Sequence, residues 1–294
     1  MNSTKVKSLN CYMVTMEARL YYLCNFVTIL TLFVKMIPSA LEHVREIAGG
    51  SGRAAVFLDY DGTLTPIVSN PEKAWLSDSM RQKLRELAAR APVAILSGRD
   101  LDDVRRRVNI DAIVYAGSHG FDIAAPHGLR RQMATEFLPN LDITEKELHK
   151  ALDGIPSARV ERKHFSIAAH YRNVKENDVP AVERAFDAVA VRHPELRRIN
   201  GKKAYELLPD VDWDKGKAVL WLLETLGLES RSGGIRPIYI GDDRTDEDAF
   251  RALERCGVGI LVSEQSQPTA ARYSLKNPAE VERFLRALTA RLSA

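Results

Sequence analysis

The feature that most limits the possible folds is the apolar run Ala54–Leu58, which is followed at once by two carboxylates, Asp59 and Asp61. The run is small, branched or aromatic throughout, which is typical of a strand buried on both faces of a parallel sheet. Open α/β sheets bind ligands at the carboxyl ends of such strands, and Gly62 lets the chain turn sharply there. Two acids this close predict a bound cation or acid-base chemistry. An ordinary Asp-Gly turn is the alternative, but the whole string Asp-x-Asp-Gly-Thr after an apolar strand is much rarer.

Length and composition are those of an ordinary globular protein. The chain has 294 residues, of which 45% are hydrophobic and 28% are charged, and its formal net charge is +3. A charge this small gives no reason to expect nucleic acid as a partner. The three cysteines lack the spacing of metal ligands and favour a reducing compartment, so we expect a cytoplasmic location. The densest basic run, residues 105–107, is interpreted as a solvated helix face.

The first 35 residues differ in character from the rest of the chain. Their apolar stretch, residues 20–34, is shorter than the about 20 residues that a membrane-spanning helix needs. The residues after it make a poor cleavage site for a secretory signal. We prefer the interpretation that translation begins at Met36, so that residues 1–35 are an extension absent from the protein, and we expect no membrane partner. A membrane anchor is the alternative.

From residue 54 onward, apolar strands alternate with amphipathic helices. Further strands are predicted at residues 93–96, 113–116, 238–240 and 258–262. This order implies right-handed crossovers and a parallel sheet covered on both faces. Between residues 135 and 208, two helix-strand-strand units predict a small inserted α+β domain. We therefore expect an α/β fold with a Rossmann-like parallel core in two parts, residues 36–134 and 209–294, and a cap domain at residues 135–208.

Later strand ends add polar residues at the same edge of the predicted sheet. Ser97 follows the second strand, Asp242 follows the fourth, and Lys215 opens the helix after the insertion. Asp59 and Asp242, with a backbone oxygen, suit a hard dication such as Mg²⁺. Ser97 and Lys215 would neutralise the oxygens of a phosphoryl group docked on it. Asp59 is then the nucleophile, and Asp61 protonates the leaving alcohol and later deprotonates water. Taken singly, each of these residues is more simply explained as part of a turn, a surface or a helix cap.

Four motifs resemble those of the haloacid dehalogenase superfamily of phosphatases. They are Asp59-Tyr60-Asp61-Gly62-Thr63, Leu96-Ser97-Gly98-Arg99, Asp214-Lys215-Gly216-Lys217 and the acidic run from Gly241 to Asp248. Within the superfamily the chain resembles the trehalose-6-phosphate phosphatases from about residue 41 to its end. The resemblance implies a core of the haloacid dehalogenase type with an inserted cap. It implies that the catalytic residues are Asp59, Asp61, Ser97 and Lys215, and that the Mg²⁺ ligands are Asp59, Asp61 through its carbonyl, and Asp242. Asp243 and Asp246 are expected to contact the metal ligands without binding the metal directly.

The substrate prediction depends on the inserted domain. Its charged residues would lie on one face if they alternate along paired strands: Glu161, Lys163, Arg172, Lys202 and Glu206. Carboxylates and ammonium groups suit a polyhydroxylated sugar, because they offer both acceptors and donors. A solvated sheet face with cross-strand ion pairs is the alternative. The substrate-binding residues that the resemblance adds are Gly98, Arg99 and His119.

The resulting prediction is hydrolysis of trehalose 6-phosphate to trehalose and phosphate, with Mg²⁺ and an aspartyl-phosphate intermediate. The resemblance implies a trehalose-phosphate synthase as the partner that supplies the substrate. One alternative is another sugar phosphatase of the same superfamily, acting on sucrose phosphate, a mannosyl phosphoglycerate or a hexose phosphate. An inactive regulatory or binding module is less favoured, because all four motifs are complete. Leu208 departs from the family pattern Glu-x-Arg-Pro, which puts the docking of the cap or its sugar contacts in question.

Overall fold

The structure is a computed structural model that describes residues 37–201, 203–228 and 234–292. The predicted N-terminal extension and the predicted sugar ligand Lys202 lie outside the described residues. Residues 38–264 and 270–292 belong to one compact unit, which contains every element named below. Within the described ranges, none of the helices has the length and apolar character needed to cross a membrane.

Strands and helices alternate along the described chain. The strands are β1 (Ala54–Leu58), β2 (Val93–Leu96), β3 (Val114–Gly117), β4 (Asp122–Ala124), β5 (Arg130–Gln132), β6 (Arg159–Arg162), β7 (Ile167–His170), β8 (Leu196–Gly201), β9 (Ala204–Pro209), β10 (Arg236–Gly241), β11 (Val258–Val262) and β12 (Tyr273–Leu275). The helices are α1 (Val44–Ala48), α2 (Asp78–Ala88), α3 (Leu101–Val108), α4 (Leu138–Leu152), α5 (Val179–Ala190), α6 (Lys215–Thr225), α7 (Asp246–Leu253) and α8 (Pro278–Thr289).

The larger sheet has eight strands in the order β12-β11-β10-β1-β2-β3-β4-β5. Neighbouring strands from β12 to β3 are parallel, with β1 between β10 and β2. This confirms the predicted α/β fold with a mostly parallel sheet. β4 and β5 extend the sheet in antiparallel pairing. They were not predicted, because strands of three residues are too short to show a periodic pattern.

Burial explains the central place of β1 in this sheet. All five of its residues are buried, as expected for a strand with neighbours on both sides and helices on both faces. Val56 and Leu58 belong to the largest apolar cluster of the core. Helix α2 contributes an apolar stripe to the same cluster, with Met80, Leu84 and Leu87. The helices therefore fix the position of β1, and with it the residues that follow.

The smaller sheet has four antiparallel strands in the order β6-β7-β9-β8. One face packs on α4 and α5 through a separate apolar cluster, which includes Leu148, Phe186 and Leu207. Because α4 precedes β6 and β7, and α5 precedes β8 and β9, this layer consists of two helix-strand-strand units. It corresponds to the predicted cap, and we propose that the cap is a domain inserted at residues 135–208.

Candidate active site

A tight turn shapes the chain directly after β1. The N–H of Gly62 donates to the carbonyl of Thr65 at 2.8 Å. Gly62 has a φ of +94°, a conformation that side chains other than glycine rarely adopt. A Cβ at this position would lie 2.0 Å from a carboxylate oxygen of Asp242. Glycine is therefore required for Asp242 to approach the turn that carries Asp59.

A buried lysine joins two of the predicted acids. Lys215, the first residue of α6, is 2% exposed, and Asp59 is 5% exposed. The Nζ of Lys215 donates to Oδ1 of Asp59 at 2.7 Å and to Oδ1 of Asp246 at 2.8 Å. Burial lowers the pKa of Lys215, but the two carboxylates outweigh it and hold the pKa well above its usual value. The raised pKa favours the charged ammonium form of Lys215.

Asp246 is held by four donors from the protein. Its Oδ1 accepts from Lys215 and from the hydroxyl of Tyr239, the latter at 2.6 Å. Its Oδ2 accepts from the backbone N–H groups of Asp242 and Asp243 at 2.9 and 3.0 Å. Because both oxygens already have two donors, we propose that Asp246 orients the loop after β10 and the lysine instead of binding a metal.

The acids at this edge form a candidate cation site. Carboxylate oxygens of Asp59, Asp242 and Asp246 lie within 4.8 Å of one another. Burial raises the pKa of Asp59 well above its usual value, against the lowering effect of Lys215. The neighbouring carboxylates, including Asp243, raise it further. Four carboxylates around one ammonium leave an excess of negative charge, which an oxygen-ligated divalent cation would balance. The residues present therefore fit a hard dication, with Asp59 and Asp242 as its carboxylate ligands.

Ser97 brings a hydroxyl to the same place from the end of β2. The residue is 1% exposed, and its N–H donates to the carbonyl of Ala116 in β3, which extends the sheet by one residue. Ser97, Asp59 and Lys215 line one cavity. The hydroxyl, the carboxylate and the ammonium that the sequence placed at three separate points of the chain are thus brought together.

The guanidinium of Arg99 forms an ion pair with Asp61. Its Nε and Nη2 donate to the two carboxylate oxygens of Asp61, each at 2.7 Å. Its Nη1 donates to Asp103 at 3.0 Å, and Nη2 also donates to the carbonyl of Pro71 at 2.9 Å. Arg99 and Asp61 are 38 positions apart, so no sequence pattern indicated this pair. Arg99 also lines the cavity, and its predicted contact with substrate stays a prediction.

Two strained residues direct a histidine toward the cap. Ser118 and His119 have φ values of +48° and +59°, a conformation that costs about 1–3 kcal/mol for each non-glycine residue and is concentrated at functional sites. The N–H of His119 donates to the carbonyl of Ser97 at 2.8 Å. A Cβ on Gly98 would lie 2.7 Å from the imidazole, so glycine is required beneath the ring. The imidazole reaches Glu206 of the cap, with 3.6 Å between Nε2 and Oε2.

The cap presents its charged residues to the same cavity. Glu161 in β6 lies opposite Ala168 in β7, and Ala168 lies opposite Glu206 in β9, so the two glutamates flank a small residue on one face. Strand alternation does not explain the other two described residues of the set, because Lys163 and Arg172 follow β6 and β7 in loops. That part of the prediction was wrong, although both residues line the cavity.

Hydrogen-bonding partners lower the pKa of both glutamates. Burial raises the pKa of Glu206, but the ammonium of Lys163, 2.7 Å from Oε1, outweighs it and holds the pKa well below its usual value. The hydroxyl of Ser166 also donates to Glu206 at 2.5 Å. The imidazole of His170, 2.5 Å from a carboxylate oxygen of Glu161, lowers the pKa of that residue. The sequence assigned no role to Ser166, whose contribution depends on its cross-strand contact with Glu206.

One cavity of about 250 Å³ contains both groups of residues. Twelve predicted site residues line it: Asp59, Asp61, Ser97, Gly98, Arg99, His119, Glu161, Lys163, Arg172, Glu206, Lys215 and Asp243. Asp242 and Asp246 lie beside Asp59 in the candidate cation site. The lining residues that the sequence did not single out as site residues include Ile67, Val68, Pro71, Asp100, Asp103 and Ala168. Ile67 and Val68 lie four and five residues after Thr63, the last residue of the first motif, and no other sequence signal pointed to them.

A hydrogen-bonded loop of the cap contacts the start of α3. Asp100 precedes α3, where a capping side chain is common, but it makes no capping hydrogen bond. Its Oδ1 accepts instead from the backbone N–H of His164 at 2.8 Å and from the hydroxyl of Ser118 at 3.0 Å. His164 belongs to the loop between β6 and β7, so Asp100 connects the cap to the segment between β2 and α3.

Comparison with known proteins agrees with this geometry. The profile of the trehalose-phosphatase family matches residues 57–279. Over 263 residues the chain is 44% identical to a probable trehalose-phosphate phosphatase 4 of Oryza sativa subsp. japonica, covering 87% of this chain and 71% of the relative. Among solved structures, the C-terminal domain of C. albicans trehalose-6-phosphate phosphatase has a TM-score of 0.71 at 22% identity, covering 87% and 99% of the two chains. A haloacid dehalogenase-like hydrolase from Bacteroides thetaiotaomicron has a TM-score of 0.56 at 17% identity, covering 80% and 99%. The two structures show the fold alone, but the family profile and the relative show that this chain belongs to the trehalose-phosphatase family.

Proposed function

We propose that this protein hydrolyses trehalose 6-phosphate to trehalose and phosphate through a phosphorylated Asp59, with Mg²⁺ as its metal. Membership of the trehalose-phosphatase family supports the activity and the substrate. One observation carries the mechanism: a single cavity joins the Asp59–Lys215 pair to the two ionised glutamates of the cap. The cavity thus offers a place for a phosphate at one end and for sugar hydroxyls at the other.

The first half of the reaction transfers the phosphoryl group to the protein. A carboxylate oxygen of Asp59 forms a bond to phosphorus while the bond from phosphorus to the sugar oxygen breaks. Asp61 gives its proton to that oxygen, so the sugar leaves as an alcohol. The ammonium of Lys215 and the hydroxyl of Ser97 stabilise the phosphate oxygens. When bound at Asp59 and Asp242, Mg²⁺ would supply Lewis-acid stabilisation of the same charge.

The second half returns the protein to its initial state. Asp61 accepts a proton from water as the water oxygen bonds to phosphorus, and the bond from phosphorus to Asp59 breaks. Phosphate leaves and Asp61 is again protonated. One carboxylate therefore serves both halves, first as acid and then as base, provided that it stays close to the same side of the phosphorus atom.

The cap supplies recognition of the sugar. Glu161 and Glu206 offer charged acceptors for hydroxyl groups, and Lys163 and Arg172 offer donors. Because Lys163 and His170 already hold the glutamates in place, little further ordering is needed when the sugar binds. The closed cap also excludes bulk water from the phosphorylated aspartate.

Phosphate release from a panel of substrates tests the proposal. The panel contains trehalose 6-phosphate, sucrose phosphate, glucose 6-phosphate, a mannosyl phosphoglycerate and an aryl phosphate, each with Mg²⁺ and with a chelator. We expect the highest kcat/KM for trehalose 6-phosphate and loss of all activities on chelation. A clear preference for another sugar phosphate would contradict the proposed substrate, and no phosphate release from any member would favour a binding module. The cytoplasmic location and the synthase partner remain predictions.

A further inference from the structure

The carboxylate of Asp61 is held in one orientation by Arg99. The Asp61 side chain is 40% exposed, and a carboxylate with that exposure has several rotamers open to it. The two parallel contacts from Nε and Nη2 of Arg99, each at 2.7 Å, fix both the direction and the rotation of the carboxylate plane. A lysine could not do this, because its ammonium makes point contacts without a planar fork.

Arg99 is itself held from outside the cavity. Asp103 accepts from Nη1, the carbonyl of Pro71 accepts from Nη2, and the guanidinium carbon lies 5.5 Å from the ring centre of Tyr60. These contacts and the pair with Asp61 occupy four of the five N–H groups of the guanidinium. At most one N–H is left for a substrate, so the contacts of Arg99 favour holding Asp61 over binding the sugar.

Asp103 is anchored in turn by a buried arginine. It accepts from Nε of Arg107 at 2.7 Å, and Arg107 is 4% exposed. The guanidinium of Arg107 also donates to the carbonyls of Glu72 and Ala74 and lies 4.8 Å from the ring centre of Trp75. The interpretation of residues 105–107 as a solvated face is therefore wrong for Arg107, because the inner side of α3 turns it toward residues 72–75. A continuous series of contacts runs from this buried anchor to Asp61.

We propose that Arg99 is a positioning residue, which aims the carboxylate of Asp61 at the leaving oxygen and at the attacking water. The proposal rests on the proposed role of Asp61 as acid and base. Its consequence depends on the leaving group. A sugar alcohol is a poor leaving group and needs a well-placed proton donor, whereas an acidic phenol leaves without one. Loss of Arg99 should therefore lower kcat/KM most for the substrates whose leaving group most needs a proton.

A series of aryl phosphates with leaving phenols of graded pKa tests this role, since these substrates have no sugar for Arg99 to bind. The value of kcat/KM reports the steps up to phosphorylation of Asp59, with Mg²⁺ present. For Arg99→Ala we expect less than a threefold change with the most acidic phenol and a loss of about 10- to 100-fold with the least acidic, within the range of general acid catalysis. Arg99→Lys, which keeps the charge, is expected to behave in the same direction.

Arg106→Ala is the matched control. Arg106 donates to the same Asp103 at 2.6 Å, but its side chain is 68% exposed and it does not line the cavity. We expect the control to follow the wild type across the series. Thermal unfolding of each variant separates misfolding from loss of positioning, and Arg99→Lys gives a second test if Arg99→Ala unfolds.

The possible outcomes are distinct. An equal loss with every phenol means that Arg99 binds the phosphoryl group and overturns the proposal, as does an unchanged series. In Asp61→Ala, kcat/KM should depend steeply on the pKa of the leaving phenol. Adding Arg99→Ala to that variant should not make the dependence steeper. If Asp61→Ala itself leaves the dependence unchanged, the role of Asp61 is wrong and the positioning role of Arg99 falls with it. If only Arg99→Ala leaves it unchanged, the role of Asp61 stands and that of Arg99 does not.

Discussion

The two ends of the cavity are built in different ways. At the phosphate end, Asp59, Ser97 and Asp242 each follow a parallel strand directly, so the ladder hydrogen bonds of the sheet set their positions. At the sugar end, the charged residues come from antiparallel strands and from the loops beyond them, and they hold one another in pairs such as Lys163 with Glu206. The proposed catalytic residues are thus attached to the larger sheet, whereas the proposed sugar-binding residues are attached to a layer that has its own apolar core.

Charge balance separates the two ends further. Around Lys215 the carboxylates are in excess, so the phosphate end could hold a balancing cation. At the sugar end each described glutamate has its own basic hydrogen-bonding partner, Lys163 for Glu206 and His170 for Glu161. We therefore expect changes at the phosphate end to affect all substrates, and changes at the sugar end to affect sugar phosphates alone.

The largest effect is expected from Asp59→Asn. The amide keeps the size of the side chain but is not a nucleophile, so kcat should fall by about 10⁴-fold or more on trehalose 6-phosphate and on an aryl phosphate alike. Phosphate release measures the loss, and circular dichroism with thermal unfolding checks that the fold is kept. Near-normal activity on either substrate would show that the phosphoryl group does not pass through this residue.

A selective effect is expected from Glu206→Gln. Loss of a charged acceptor costs about 1.5–3 kcal/mol, so kcat/KM for trehalose 6-phosphate should fall about 10- to 150-fold while an aryl phosphate is spared. Glu183→Gln is the matched control, because Glu183 is a half-exposed cap residue that pairs with Arg198 away from the cavity. Equal losses of kcat/KM on the two substrates would contradict the proposal that Glu206 acts on the sugar alone.

A smaller effect is expected from Asp100→Ala, which cuts the link between the ends. Without the hydrogen bond to His164, the contact between the cap and the core should weaken, and KM for trehalose 6-phosphate should rise about 3- to 10-fold, which corresponds to a typical net hydrogen-bond contribution of about 1 kcal/mol. Asp102→Ala, a change at an exposed acid in the first turn of the same helix, controls for the helix dipole. A rise of KM in both variants would attribute the effect to the helix and not to the cap.

The smallest effect concerns stability in acid. The pKa of Glu206 is lowered on folding, so its contribution to stability is complete above its ordinary value of about 4.5 and is lost as the pH falls below it. One proton limits the slope to about 1.4 kcal/mol per pH unit. Urea unfolding between pH 5 and pH 3 should therefore show a steeper loss for the wild type than for Glu206→Gln. Parallel curves would mean that Lys163 does not hold this carboxyl in its ionised form.

The catalytic residues were predictable because their motifs are local. An apolar strand followed by acids specifies both a buried position and a ligand-binding edge, and the structure brings Asp59, Ser97 and Lys215 together as those motifs indicated. The pair of Asp61 with Arg99 was not predictable, since its partners are 38 positions apart and neither one is unusual in its own segment. The burial of Arg107 was missed for the same reason.

The sequence by itself determined the parallel sheet. It also determined which strands are followed by polar residues, and that these residues are carboxylates, a hydroxyl and an ammonium group. These follow from the period of apolar residues and from short motifs, which act over a few residues. Only the tertiary structure decided which charges pair. The contacts of Asp61 with Arg99, of Asp100 with the cap loop and of Glu206 with Lys163 join residues far apart in the chain. The energy of such pairs depends on burial and distance, and neither quantity exists until the two layers have packed.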